Sequence, residues 1–251
     1  MSPTVLVLCA LLVFVFSGLL AMAGLGAAFL FVPLFYYLGV PLAEATPAAL
    51  LLNVVSLAFA SVNYWRSGLV DRRLGLPVLV TAVALSPVGA RLTPLVDRRL
   101  LLGGFAAFLA VAGSLMLFYR STPRERAMGH GAARLAGAGV GSVAGFLGGL
   151  LGVGGGNLIL PVLNWMGLDA KVAVGTTAIV VVFSSLSGFL GHATLGGLDP
   201  TFLGVTALMA AAGSIVGSQL MKSKVSSVQL KKVIGGVLWL IAIRMAFDAM
   251  K

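Results

Sequence analysis

One pattern of glycine, proline and aspartate is written twice in this chain, at a constant separation of 128 residues. Gly24, Gly26 and Pro33 recur as Gly152, Gly154 and Pro161, and Gly39 recurs as Gly167. Ser56 recurs as Ser184, Gly68 and Asp71 as Gly196 and Asp199, and Ser86, Val88 and Gly89 as Ser214, Val216 and Gly217. No gap is needed between the first match and the last. Coincident Leu or Ala would mean little, but matched Gly, Pro and Asp mark places where the backbone turns. The chain is therefore expected to fold as two homologous halves, residues 1–125 and 126–251, joined through the polar stretch 120–134.

What each half must be follows from composition. Apolar residues make up 59% of the chain and charged residues 10%, against about a quarter charged in soluble domains. A soluble fold of this size cannot hide that much apolar surface, so the solvent is lipid and the class is an all-α integral membrane protein. Each half reads as five elements: residues 4–23, 27–38, 45–64, 74–92 and 100–118, then 132–151, 157–166, 172–192, 202–220 and 230–247. The second element of each set is shorter than the roughly 17 residues a crossing needs. It is expected to be broken, re-entrant or strongly tilted.

Net charge is +10, yet the basic residues lie in short clusters between apolar runs, as orientation signals do, so nucleic acid is not expected as a partner. Their distribution distinguishes two topologies. If the first two elements of each half jointly make one crossing, the halves are parallel and the loop charges divide evenly. If those two elements form a hairpin, the second half inverts. One side then gathers Arg66, Arg72, Arg73, Arg120, Arg124, Arg126, Arg134, Lys171, Lys222, Lys224, Lys231 and Lys232. The other keeps only Arg91, Arg98, Arg99 and Lys251. That asymmetry is what the positive-inside rule expects, so the reading is an inverted repeat with both termini extracytoplasmic. Ala21-Met22-Ala23 resembles a signal-peptide cleavage site. The run before it has no basic residue and recurs in the second half, so it is expected to be retained.

Interrupted helices in inverted repeats make transporter sites, because freed backbone N–H groups and the positive end of the next helix face the gap. Such a gap binds an anion without a buried Lys or Arg. The candidates here are Gly24, Gly26 and Ala27 in the first half, and Gly152, Gly154, Gly155, Gly156 and Asn157 in the second. Close helix packing is the competing reading for these glycines. Asn53, Ser56 and Asn63 share one helical face, as do Thr177, Ser184 and Ser187, with Thr176 and Ser185 alongside. Of these, Asn53, Ser56, Thr176, Thr177 and Ser184 are taken as substrate-binding candidates, against interhelical hydrogen bonding as the alternative. His192 is the candidate proton relay, against an interfacial placement. Asp71 and Asp199 read as turn and helix-capping residues. Arg91 reads as a snorkelling anchor. Cys9 is the sole cysteine, so a disulfide within the chain or a thiolate metal cluster is excluded, and no cofactor or metal is expected.

These motifs carry a resemblance. The stretch 148–197, GGLLGVGGGNLILPVLNWMGLDAKVAVGTTAIVVVFSSLSGFLGHATLGG, is similar to the second-half signature of the TauE/SafE sulfite exporter family. The first copy, with GLG at 24–26, Pro33 and the Gly68–Asp71 turn, resembles the family's opening signature, although Ala27 and Ala28 stand where the second copy has Gly155 and Gly156. The resemblance spans essentially the whole chain. It implies an inner-membrane permease for sulfur-containing anions such as sulfite, sulfoacetate, other organosulfonates or thiosulfate. From residues and resemblance together the expected function is a secondary transporter working by alternating access, coupled to protons or membrane potential. Its expected partners are a small anion and the bilayer, with self-association left open. An anion channel and a membrane scaffold are the rival readings. An embedded enzyme would need clustered His, Asp, Glu or Cys, which the segments lack.

Overall fold

The computed structural model describes residues 3–23, 26–118, 130–193, 199–220 and 227–250. All regular structure among them is helical: α1 (Pro3–Ala23), α2 (Ala28–Tyr37), α3 (Leu42–Arg66), α4 (Arg72–Leu92), α5 (Arg98–Phe118), α6 (His130–Leu151), α7 (Gly156–Trp165), α8 (Ala170–Ala193), α9 (Pro200–Leu220) and α10 (Ser227–Ala249). A 3₁₀ turn, Thr93–Leu95, separates α4 from α5. Six described helices are long and apolar enough to cross a bilayer, and the protein is a multi-pass membrane protein. Large apolar side chains such as Leu11, Phe59, Leu76, Leu135, Phe183 and Leu208 point outward, as a lipid solvent requires. The linker expected over 120–134 ends earlier, because Arg134 already lies within α6.

Helix ends follow local chemistry. Asp71 caps α4, its Oδ1 accepting the Leu74 N–H at 2.8 Å. Asp199 does the same for α9, accepting from Thr201 and Phe202 at 2.8 and 3.3 Å. Both match the capping role read from the sequence. Gly39, Gly68 and Gly167 adopt positive φ in the links after α2, α3 and α7.

Packing repeats between the halves. α4 lies along α6, and its counterpart α9 lies along α1; α5 lies on α10, and α3 on α8. The α4–α6 seam is the closest approach. Gly141, Gly145 and Gly149, one turn apart on α6, lie directly on the backbone at Val78, Ala82 and Ser86 of α4, where any side chain would collide. On α1 the positions matching Gly141 and Gly145 are Val13 and Ser17, both fully buried.

Direction can be read from the same contacts. Tyr64 is level with Gly175, Asn53 with Ser185 and Leu50 with Gly188, so α3 and α8 run antiparallel. Gly113 is level with Leu238 and Trp239, and Leu117 with Gly235, so α5 and α10 do too. Ala133 and Arg134 at the start of α6 line one cavity with Met166–Asp169 beyond the end of α7. The short α7 therefore turns back beside α6 rather than continuing its path.

Candidate functional site

Asn53 sits where the two interruptions meet. It is 1% exposed, near the middle of α3. Its Oδ1 accepts the Ala28 N–H at the start of α2, at 3.4 Å, and its Nδ2 donates to Ser185 Oγ of α8 at 3.0 Å. A side chain at Gly26 would collide with this amide. One at Gly154 would collide with it too, and would come within 2.9 Å of Ser185 Oγ. One carboxamide thus touches both broken elements and the mirror helix. Ala27, at the N-cap of α2, has no side-chain acceptor, and Asn53 performs that capping from across the core. Gly24 lies outside the described residues.

The second interruption is built differently. Gly152, Gly154 and Gly155 have φ of 70°, 72° and 68°, a region that only glycine occupies cheaply. Gly155 is the N-cap of α7 and receives no side-chain hydrogen bond. The Asn53 counterpart in this half is Val181, which cannot cap it. Beside this helix start Asn157 Nδ2 and Thr177 Oγ1 are buried without a partner. A Cβ at Gly156 would lie 3.7 Å from Thr177 Cγ2 and 3.0 Å from Val181 Cγ2. The α7 start therefore presents a positive helix end and two unused donors.

The remaining candidates are distributed around this centre. Ser56 Oγ approaches Ser17 Oγ at 3.5 Å, and Ser184 Oγ bonds back to the Val181 carbonyl at 3.3 Å. Thr176 Oγ1 accepts the Asp71 N–H at 2.9 Å and so ties α8 to the α3–α4 turn. His192 Nε2 lies 2.9 Å from the Gly149 carbonyl. A carbonyl only accepts, so Nε2 carries the proton and joins α8 to α6. Gly155 is pressed against α6, where a Cβ would sit 2.5 Å from the Ala144 carbonyl oxygen. Gly152 is held against Thr46 in the same manner. Asn63, placed by spacing on the Asn53 face, is exposed near the end of α3. Ser61 and Asn164 are two buried polar residues absent from the sequence candidates. The i, i+8 interval from Asn53 to Ser61 and the i, i+7 interval from Asn157 to Asn164 are the signals that mark them.

Among the described residues no Asp, Glu, Lys or Arg is buried, and no three His, Cys, Asp or Glu gather. The centre offers hydrogen-bond donors in a neutral setting. Charge collects at the two ends. At one, a cavity of about 380 Å³ is lined by Asp71, Arg73, Arg134 and Asp169. At the other, a cavity of about 1090 Å³ includes Asp97, Arg98, Arg99, Arg244 and Asp248. There the Tyr37 hydroxyl donates to Asp248 at 3.1 Å, Arg244 pairs with Asp248 at 3.8 Å, and Arg98 stacks over Tyr36 at 5.6 Å. α2 ends at the larger cavity and α7 at the smaller one, while both begin at the centre.

Comparison with known proteins places this geometry in context. The family model described as "Sulfite exporter TauE/SafE" matches residues 8–245. A "Probable membrane transporter protein YunE" from Bacillus subtilis is 25% identical over 240 residues, covering 85% of this chain and 86% of the relative. "Sulfite exporter TauE/SafE family protein 1" from Arabidopsis thaliana is 34% identical over 84 residues, and its family protein 2 is 31% identical over 84. The aligned stretch covers 34% of this chain and spans about a fifth, 19% and 18%, of those plant proteins. No solved structure matches.

Proposed function

Because the chain belongs to the sulfite exporter TauE/SafE family of membrane transporters, we propose that it is a secondary permease for a small sulfur oxyanion. Sulfite, sulfoacetate and other organosulfonates are the substrate class. The observation that carries this reading is the meeting of two helix starts at Asn53, buried and free of charged side chains. An oxyanion binds there through backbone N–H groups, the Asn53 amide and the Asn157 and Thr177 donors. Neutral donors suit a carrier, since a fixed Lys or Arg at the centre would hold the anion too tightly to release it.

Alternating access is the proposed cycle, with the two halves acting as inverted repeats. The antiparallel runs of α3 against α8 and of α5 against α10 support inversion. So does the departure of α2 and α7 from the centre towards opposite ends. The conformation described here is closed at the centre, where Asn53 and Ser185 are 1% and 0% exposed. Release to either side requires one half to tilt against the other. Coupling to protons or membrane potential and residence in a cell inner membrane complete the proposal.

The test is flux of sulfite, sulfoacetate, sulfate and chloride into liposomes containing the purified protein. A thermal-shift titration with the same anions accompanies it, since a ligand of the folded state raises apparent stability. Saturable flux and stabilisation by one sulfur oxyanion, with little from chloride, is the expected result. Absence of both across the series rejects the permease reading. Large single-channel currents would replace the carrier with a channel.

A further inference from the structure

The larger of the two end cavities, about 1090 Å³, lies where α2 ends, α5 begins and α10 ends. A connected row of side chains lines it. Arg98, the first residue of α5, donates to the Tyr36 hydroxyl and lies over its ring. The Tyr36 ring meets that of Tyr37 edge to face at 5.3 Å. The Tyr37 hydroxyl donates to Asp248 at 3.1 Å, and Arg244 pairs with the same carboxylate oxygen. The repeat does not account for this row. At the 128-residue separation Tyr36, Tyr37, Arg98 and Arg99 become Asn164, Trp165, Ser226 and Ser227. The turn at Gly167 has the same positive φ as that at Gly39 without such neighbours, so the backbone does not require them.

Charge is unbalanced within the cavity. The guanidinium groups of Arg98, Arg99 and Arg244 stand against the carboxylates of Asp97 and Asp248. Asp248 is held by Tyr37 and Arg244, and Asp97 caps α5 by accepting the Arg99 N–H at 2.7 Å. Arg98 has a neutral partner in Tyr36, and among the described residues no carboxylate lies within ion-pair distance of it. A guanidinium carries five N–H donors in a fork that matches an oxyanion. Arg98 spends one of them on Tyr36.

The cavity also reaches towards the second interruption. Leu42 lines it, and Thr46, one turn further along α3, is the residue against which Gly152 is held. That turn is about 6 Å of rise. Thr93, also in the lining, donates to the Leu150 carbonyl at 2.9 Å, two residues before that glycine.

We propose that this cavity is a mouth site, where Arg98 and Arg244 hold the transported anion on its way to or from the centre. Its volume matches pockets that take whole organic ligands, roughly 300–1000 Å³, and its tyrosine and leucine walls suit a carbon body. The ligand class is therefore an organosulfonate rather than bare sulfite. The mouth site rests on the anion-permease reading, because its ligand is that permease's substrate. Guanidinium groups concentrate the anion from solution, and the neutral donors of the centre receive it without trapping it.

The probe is radiolabelled sulfoacetate, bound to the full chain in phosphatidylcholine nanodiscs. Asn53→Leu serves as the background, so that the mouth site is read apart from the centre. Arg98→Gln and Arg244→Gln are the test variants. Arg91→Gln is the control, since Arg91 is exposed in the last turn of α4 and does not line the cavity. Saturable binding should remain in Asn53→Leu, weaken at least tenfold on adding either test substitution, and change less than twofold on adding the control. Absence of binding in Asn53→Leu overturns the proposal. Equal weakening by Arg91→Gln overturns it too, because the effect is then overall surface charge. Loss of co-purified phosphatidylglycerol in the test variants, with sulfoacetate binding unchanged, gives the cavity to a lipid head group and also overturns it. If Asn53→Leu does not accumulate, flux through the otherwise unsubstituted chain decides: Arg98→Gln should raise KM at least fivefold and lower the maximal rate less than twofold, and an unchanged KM rejects the mouth site. Binding that depends on Arg98 without any flux keeps the mouth site and rejects the permease, and flux without such binding does the reverse.

Discussion

Asn53 is a small side chain with several partners, and removing its amide separates two of its effects. Leu has the same branching of heavy atoms, so Asn53→Leu keeps the shape of the side chain between Gly26 and Gly154 while deleting the Ala28 and Ser185 bonds. Interhelical hydrogen bonds in membranes contribute about 0.6 kcal/mol on average and rarely above about 1.7. The folded protein should therefore survive, with a modestly lower melting temperature. Transport should fall at least tenfold, because an apolar surface replaces the donor between the helix starts. Flux and melting measured on one preparation check this; unchanged flux would move the site away from Asn53. His192 makes the opposite point. Its bond to the Gly149 carbonyl accounts for a buried imidazole without proton transfer. His192→Gln keeps an N–H donor on a similar reach, so flux and its dependence on pH between 5.5 and 8 should both persist. A flattened pH profile in that variant would restore the relay. Asn53 was legible in the sequence because a lone carboxamide in an apolar run must find partners. Its particular partners were not, because they depend on how α3 meets α2 and α8.

At the scale of elements, hydropathy and the glycine breaks locate all ten described helices, and each boundary differs from the sequence reading by no more than a few residues. Lipid makes this possible, since every crossing must be apolar and internally hydrogen-bonded. The glycines were less legible. Gly141, Gly145 and Gly149 serve the α4–α6 seam and Gly154 serves the centre, yet all are simply glycine in a chain holding 33 of them. Position around the helix separates the roles, and it also separates two adjacent glycines of the loop. Gly155 has φ of 68° and faces the Ala144 carbonyl, so Gly155→Ala is strained twice and should fail to accumulate as folded protein. Gly156 lies inside α7 with ordinary φ, and its nearest neighbours are the ends of Val181 and Thr177. Gly156→Ala should therefore fold with normal yield and narrow the space beside the α7 start, lowering flux several-fold. Size-exclusion profiles and liposome flux of the two variants test the distinction. Equal loss of folded protein in both would make the loop purely structural.

For the molecule as a whole, the decisive question is whether the two halves point the same way. The sequence bears on it through charge, because counting Lys and Arg at loops favours inversion. The folded chain bears on it through independent geometry, because Arg73 and Asp169 line one cavity while Arg98 and Arg99 line the other. In a parallel repeat the α3–α4 and α7–α8 turns would emerge on opposite faces of the membrane, since three crossings separate them there: α4, α5 and the joint crossing of α6 with α7. In an inverted repeat with a re-entrant α7 they emerge together. Cys9 is the only native thiol and is buried, so it can be replaced by Ala and single reporters introduced. With an impermeant maleimide applied to intact cells, Arg99→Cys should react from outside. Arg73→Cys and Lys171→Cys should both stay unlabelled until the membrane is opened. All three positions are exposed, so a failure to react reports sidedness rather than burial. Labelling of Arg73→Cys and Lys171→Cys from opposite sides would reject the inverted repeat, and with it the central meeting of α2 and α7 as a carrier site. Labelling of both from outside would keep the repeat and reverse its orientation, turning the smaller cavity to face the exterior.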